Sequence, residues 1–185
     1  DGNGDLWNYA ADASTGTYRN GVKLGSGWQA QNVLLAPGDF SGDAIPDLIT
    51  RDSNGDLWLS KGNLNGTYDA RTRIGYGWQI YSVLLAPGDF SGDGKPDLIG
   101  RDSVGDLWLY NGNGAGSYAP RVKIGYSWNF FVALAAPGDF NGDGKADLIG
   151  RTASGSLWFY AGTGTGAYQP GISVGSGYAA NEVLF

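Results

Sequence analysis

Three features of the chain predict an all-β fold built by repetition. Trp58, Trp108 and Trp158 stand 50 residues apart, as do Trp28, Trp78, Trp128 and Tyr178. A twelve-residue acidic segment, Ala86-Pro-Gly-Asp-Phe-Ser-Gly-Asp-Gly-Lys-Pro-Asp97, recurs with few changes from Ala36 to Asp47 and from Ala136 to Asp147. The 33 glycines and 7 prolines fall between short apolar runs, so long helices have no room and helix should be nearly absent. A period of this length with no linker predicts one tandem array over residues 1–185, in repeats of roughly 1–32, 33–82, 83–132 and 133–182, the remainder opening a further strand.

Each repeat reads as four short strands. The first is Val83-Leu-Leu-Ala86, and the acidic loop leads from it into the second, Asp97-Leu-Ile-Gly-Arg101. The turn Asp102-Ser-Val-Gly105 introduces the third, Asp106-Leu-Trp-Leu-Tyr110. The glycine-rich turn from Asn111 to Gly116 precedes the fourth, Arg121-Val-Lys-Ile124. Four antiparallel strands in about 50 residues predict the blades of a β-propeller. Apolar residues on both strand faces, such as Leu107 and Leu109 against Trp108, suit a blade sandwiched between two neighbours. A stacked β-solenoid is the competing architecture, but its coils are usually shorter. The Leu-Trp hairpin occurs four times and the acidic loop three times, so three full repeats and a partial one are expected. The partial blade would hold third and fourth strands near Asp5-Leu-Trp7 and a first strand at Val183-Leu-Phe185 but lack its second, so the chain reads as a permuted small propeller, part of a longer one, or a unit that closes by self-association.

Composition excludes several function classes. The formal charge is −6, the pI is about 4.4 and there is no basic run, which argues against nucleic acid and against an anionic membrane surface. No apolar run is long enough for membrane insertion. Cysteine, histidine and methionine are all absent, so disulfides, soft-metal sites and histidine-based acid–base catalysis are excluded. Glu182 is the only glutamate, and Asp12 and Asp69 lie in loops without an evident carboxylate partner, so a two-carboxylate glycosidase is a distant third reading. The chain is expected not to be an enzyme. It begins at Asp1 with no initiator or signal segment, as a mature product or an excised domain would.

The acidic loops place oxygen-bearing side chains at positions 1, 3, 5 and 9: Asp39, Ser41, Asp43 and Asp47; Asp89, Ser91, Asp93 and Asp97; Asp139, Asn141, Asp143 and Asp147. The carbonyls of Ile45, Lys95 and Lys145 complete each set. Such a loop suits a hard cation, and Gly94 and Gly144 at position 6 permit the turn that calcium loops need. Ala44 occupies that position in the first loop, where strain is expected. Three calcium ions would bring the formal charge from −6 to about zero. An ion-free turn held by side-chain hydrogen bonds is the alternative.

On these residues the chain resembles the FG-GAP/VCBS repeat family, through Asp89-Phe-Ser-Gly-Asp-Gly-Lys-Pro-Asp-Leu98 and its two copies. The resemblance implies a calcium-stabilised β-propeller in which the metal is structural, as in integrin α headpieces, some fungal lectins and modules of secreted bacterial hydrolases, and the chain looks most like the last group. A secreted, extracellular location is the corresponding expectation. Trp28, Trp78, Trp128 and Tyr178 follow the outermost strands, on the face opposite the acidic loops, and are candidates for stacking sugar rings, with Tyr76, Tyr81 and Tyr126 on the same rim. A wedge between blades is the other role for the repeating tryptophans and ranks ahead of ligand contact, as it does more strongly for Trp7, Trp58, Trp108 and Trp158. Arg51, Arg101 and Arg151, which close the second strands, are expected to pair with a nearby aspartate. The leading function is a noncatalytic module binding a glycan or cell-wall polymer, lectin-like, with a protein-binding or spacer scaffold second.

Overall fold

Strands begin wherever the glycine-rich turns release an apolar run, and the computed structural model describes them over residues 1–9, 11–12 and 14–178. Three four-stranded antiparallel sheets follow one another along the chain. The first is β5 (Gln31–Gly38), β6 (Asp47–Asp52), β7 (Leu57–Ser60) and β8 (Thr72–Gly75). The second comprises β9 (Tyr81–Gly88), β10 (Asp97–Asp102), β11 (Leu107–Tyr110) and β12 (Val122–Gly125). The third comprises β13 (Phe131–Gly138), β14 (Asp147–Thr152), β15 (Leu157–Tyr160) and β16 (Ile172–Gly175). Ahead of them β1 (Leu6–Asn8) pairs with β4 (Val22–Gly25), while β2 (Ala11–Asp12) and β3 (Thr17–Tyr18) form a small hairpin between them. These are the third and fourth strands expected of the partial repeat. Its expected strand at Val183-Leu-Phe185 lies outside the described residues.

The all-β, four-stranded plan is therefore present. Helix among the described residues is limited to single 3-10 turns at Trp28–Ala30, Trp78–Ile80 and Trp128–Phe130. The inner strands begin two residues earlier than the apolar pattern suggests, at Tyr81 rather than Val83, because the 3-10 turn hands the chain directly to the ladder. Register repeats from sheet to sheet: Gly100 faces Leu84 on one side and Trp108 on the other, as Gly150 faces Leu134 and Trp158.

Two hydrophobic clusters lie between the sheets rather than within any one of them. Phe40, Ile49, Leu57 and Leu59 of the first sheet meet Trp78, Tyr81, Leu84 and Leu98 of the second. Phe90, Ile99, Leu107 and Leu109 of the second meet Trp128, Phe131, Leu134 and Leu148 in the same way. Burial on both faces follows, and Asp97–Arg101 of β10 is buried throughout. The first strands, β5, β9 and β13, converge on a shared apolar cavity of about 310 Å³ lined by Leu34, Leu84 and Leu134 among others. This radial stacking is propeller-like.

Candidate functional site

The acidic loops join the first strand of each sheet to the second, and the chain crosses to the next sheet at the opposite end of the strands. Two faces result. On the loop face, Asp89 Oδ1 accepts from the amides of Gly92 (2.6 Å) and Asp93 (3.1 Å), and its Oδ2 accepts from Gly94 (2.8 Å). Asp39 and Asp139 hold the same three positions in their loops. Asp93 Oδ1 accepts from the Lys95 amide at 3.0 Å, and Lys95 Nζ lies 3.3 Å from its other oxygen. Asp97, fully buried, accepts from Gly112 through Oδ1 (2.9 Å) and from Phe90 and Ser91 through Oδ2 (2.9 and 2.7 Å). Burial pushes its carboxyl up from the ordinary aspartate value, against those amides, which favour the charged form. The Ser91 hydroxyl also favours that form, although its oxygen has no partner at hydrogen-bonding geometry.

Those hydroxyls bear on whether the loops fit a cation. Ser41 Oγ and Ser91 Oγ, both at loop position 3, are buried without a hydrogen-bond partner. A buried polar atom left so costs about 1–3 kcal/mol, and a hard cation accepts such an oxygen. Every donor of the set is oxygen, and Asp89 Oδ2, Asp93 Oδ1 and Asp97 Oδ1 each accept only one amide and keep a second lone pair. Among the described residues, no three acidic side chains stand gathered as a ready-made cluster. The donor chemistry thus fits calcium, with Asp39, Ser41, Asp43 and Asp47, and their counterparts, as the residues that would hold it. In the third loop Asn141 Oδ1 instead accepts from the Asp143 amide at 2.8 Å. Ala44 adopts φ 68°, close to the 82° of Gly94 and Gly144, so the first loop keeps the turn at the expense of a left-handed alanine.

The loops also stitch sheets together. The Gly116 amide of the second sheet donates to the Phe40 carbonyl of the first (3.0 Å), and Gly166 donates to Phe90 likewise. A Cβ on Gly42 would lie 2.1 Å from the Gly114 carbonyl oxygen, so only glycine admits the neighbouring turn there. Phe40 and Phe90 are buried beneath that turn, whereas Phe140 is 58% exposed.

On the crossing face the structure divides the predicted aromatic platform. Tyr76, Tyr126 and Tyr178 are exposed at 84%, 77% and 42%. Trp78 and Trp128 are buried, and so is Tyr81, which corrects their placement on an open rim. The cause is the next sheet. Trp78 stacks on Tyr110 (ring centroids 4.5 Å apart) and meets Tyr118 edge-on (5.2 Å), and its Nε1 donates to the Tyr118 hydroxyl at 3.1 Å. Trp128 makes the same contacts with Tyr160 and Tyr168. Burial pushes the phenols of Tyr110, Tyr118, Tyr160 and Tyr168 up, and for Tyr110 the Tyr81 hydroxyl adds to it. Trp28 alone stays half-exposed, at a junction whose aromatic plug differs. Of the strand tryptophans, Trp108 and Trp158 pack against the clusters as expected, and Trp58 and Trp108 donate to Asp52 (2.9 Å) and Asp102 (2.8 Å) with Arg71 and Arg121 over their rings, whereas Trp7 is 38% exposed.

Two of the arginines that close the second strands, Arg51 and Arg101, behave otherwise than expected. Arg51 donates through Nη1 to the carbonyls of Trp78 (3.0 Å) and Tyr81 (2.7 Å), and Arg101 to those of Trp128 (3.1 Å) and Phe131 (2.6 Å). The partners are thus carbonyls of the crossing turn rather than an aspartate, and each guanidinium clamps two sheets. Of the unassigned aspartates, Asp12 pairs with Arg19 (3.6 Å) and Asp69 accepts from Asn63 (2.9 Å).

The repeat itself identifies the class of protein. A family model described as an FG-GAP-like repeat matches residues 39–100 and 89–150, together more than half of the chain, and the chain belongs to that family. No curated protein matches it in sequence. Its fold is similar to the solved structure of an Agrocybe aegerita lectin that specifically recognises non-reducing terminal N-acetylglucosamine, with a TM-score of 0.63 and 18% identity. The similarity covers 90% of this chain and 46% of the lectin, so the chain spans about half that protein's length. Among the described residues no helix is long and apolar enough to cross a membrane.

Proposed function

We propose that the chain is a noncatalytic, calcium-stabilised propeller module that binds a glycan or cell-wall polymer, secreted and accessory to a hydrolase. The observation that carries this reading is the tyrosine rim of the crossing face. Tyr76 borders an open groove of about 520 Å³ with Arg73, Trp78, Tyr110 and Tyr118 at the junction of the first two sheets. Tyr126 repeats its position 50 residues on. Exposed aromatics beside a hydrogen-bonding groove suit the apolar faces and hydroxyls of sugar rings. Shallow sites repeated along one face suit a polymer, because linked weak contacts multiply through effective concentration. The similarity to a lectin supports the same reading.

Calcium belongs to the framework in this reading. The oxygen-only loops and the partnerless Ser41 and Ser91 hydroxyls support it, and the carboxylates hold the loop rather than facing a substrate. Self-association or further repeats would close the ring over Phe140, whose counterparts lie beneath the following sheet.

A glycan array probed with the wild-type chain and with the double variant Tyr76→Ala/Tyr126→Ala tests the proposal. Both tyrosines are exposed, so the variant should fold. The wild type is expected to bind at least one polysaccharide class and the variant to lose tenfold or more. If the wild type binds no glycan the reading fails, and a protein-binding or spacer scaffold takes its place.

A further inference from the structure

The junction ahead of the first sheet departs from the other two at three positions that touch one another. Where the second and third sheets begin with Tyr81 and Phe131, the first has Gln31, and where they carry Tyr110 and Tyr160 it has Ser60. Thr50 stands where they have Gly100 and Gly150. The changes are mutually consistent: a Cβ on Gly100 would lie 2.7 Å from the Tyr81 ring, and one on Gly150 would lie 2.6 Å from that of Phe131. Only without the aromatic can a threonine occupy that position. The first junction is therefore an alternative side-chain arrangement on the same backbone plan, and it removes two rings from the corner.

What remains is a cavity of about 340 Å³. Trp28 forms its aromatic wall, Thr50 and Ser60 lie buried in it, Gln31 lines it, and Asp69 and Arg71 stand at its exposed margin. In the second junction Trp78 is covered by Tyr110, and a Cβ built on Gly75 would lie 2.2 Å from the Tyr118 hydroxyl. At Gly25 the three nearest atoms all belong to Trp28. Arg121 donates to the Tyr81 hydroxyl at 2.8 Å, whereas Arg71 makes no such bond to Gln31 Oε1. Gln31 Oε1 is buried and has no hydrogen-bond partner.

We propose that this cavity binds one neutral pyranose, the terminal unit of a glycan chain, with its C–H face on Trp28 and its hydroxyls among Gln31, Thr50, Ser60, Asp69 and Arg71. The volume lies at the small end of ligand pockets, about 300–1,000 Å³, and suits one ring. The lining matches a polyol: the amide and hydroxyls both donate and accept, the carboxylate accepts and the guanidinium donates. One carboxylate and one guanidinium at the margin cancel in charge, which favours a neutral sugar over a charged one. The inference rests on the glycan-binding reading and deepens it, since it names one deep, single-residue site distinct from the shallow rim.

The test uses the triple variant Gln31→Tyr/Thr50→Gly/Ser60→Tyr, which writes the second junction into the first, and Asp69→Ala, which copies Ala119. Methyl glucoside, galactoside, mannoside and N-acetylglucosaminide are titrated calorimetrically, and all three proteins are run on the glycan array. The expected result is one site per chain for at least one pyranoside, lost tenfold or more in both variants, with the triple variant melting no lower than wild type. Array binding by the wild type without pyranoside binding overturns the pocket and leaves the polymer-binding rim standing. Pyranoside affinity within twofold in both variants overturns it equally. Silence on both assays overturns the pocket and the glycan reading together.

Discussion

The first and second sheet junctions follow one plan but fill their corners with different side chains. At the second, Trp78, Tyr81, Tyr110 and Tyr118 fill the corner with stacked and edge-on rings; at the first, Gln31, Thr50 and Ser60 leave Trp28 beside a polar cavity. On the opposite face the corresponding loops scarcely differ, and Asp39 and Asp89 hold the same three amides. Where the repeat stays constant its groups bond to backbone and hold sheets in place. Where it departs, it opens space. The departures therefore point to ligand contact more directly than the repeating aromatics do.

The largest expected effect comes from making the second junction resemble the first. Tyr110→Ser removes the ring that covers Trp78 and the hydroxyl bonded to Tyr81, and should lower stability by about 3 kcal/mol in urea denaturation. A loss under about 1 kcal/mol would mean that the aromatic plug does not hold the sheets, and the contrast between junctions would lose its energetic meaning.

Arg101→Met comes next, at about 2–3 kcal/mol, because two hydrogen bonds from a charged donor to the carbonyls of Trp128 and Phe131 disappear. The loss should stay nearly constant in molar salt, since the acceptors are neutral. A loss that salt erases would restore the ion pair first expected for this residue.

The smallest effect concerns the face that barely differs. Ala44→Gly relieves a left-handed alanine at φ 68° and should add about 0.5 kcal/mol, strain relief being partly offset by glycine's greater freedom in the unfolded chain. Gly94→Ala should lose a similar amount. Equal stability in both variants would show that the turn at loop position 6 has no strain to relieve.

Much of the architecture was legible because its causes are local. Turn chemistry at Asp102–Gly105 and Asn111–Gly116, with apolar runs between, is enough to place four strands per repeat, and the third and fourth strands of the partial sheet follow from Leu6-Trp7 alone. What escaped the sequence depends on the neighbouring sheet. Trp78 is hidden by Tyr110 and Tyr118, 32 and 40 residues away in sequence, and Arg51 finds backbone carbonyls that no side-chain pattern reveals. Phe140 copies Phe40 in sequence but not in burial, because burial comes from the following turn. The pocket did leave a signal: Gln31, Thr50 and Ser60 break the 50-residue alignment together. Attention to what repeats passes over them.

The central claim is a division of labour, with the acidic loops as framework and the crossing face as the binding surface. Its most direct test is a calcium titration that follows melting temperature and glycan affinity in parallel, at a temperature where the chain stays folded without the ion. The account predicts that calcium raises the melting temperature, by the equivalent of about 2.7 kcal/mol at a hundredfold excess over its dissociation constant, while glycan affinity stays constant. An unchanged melting temperature, or an affinity that rises and falls with calcium in the folded protein, would contradict it.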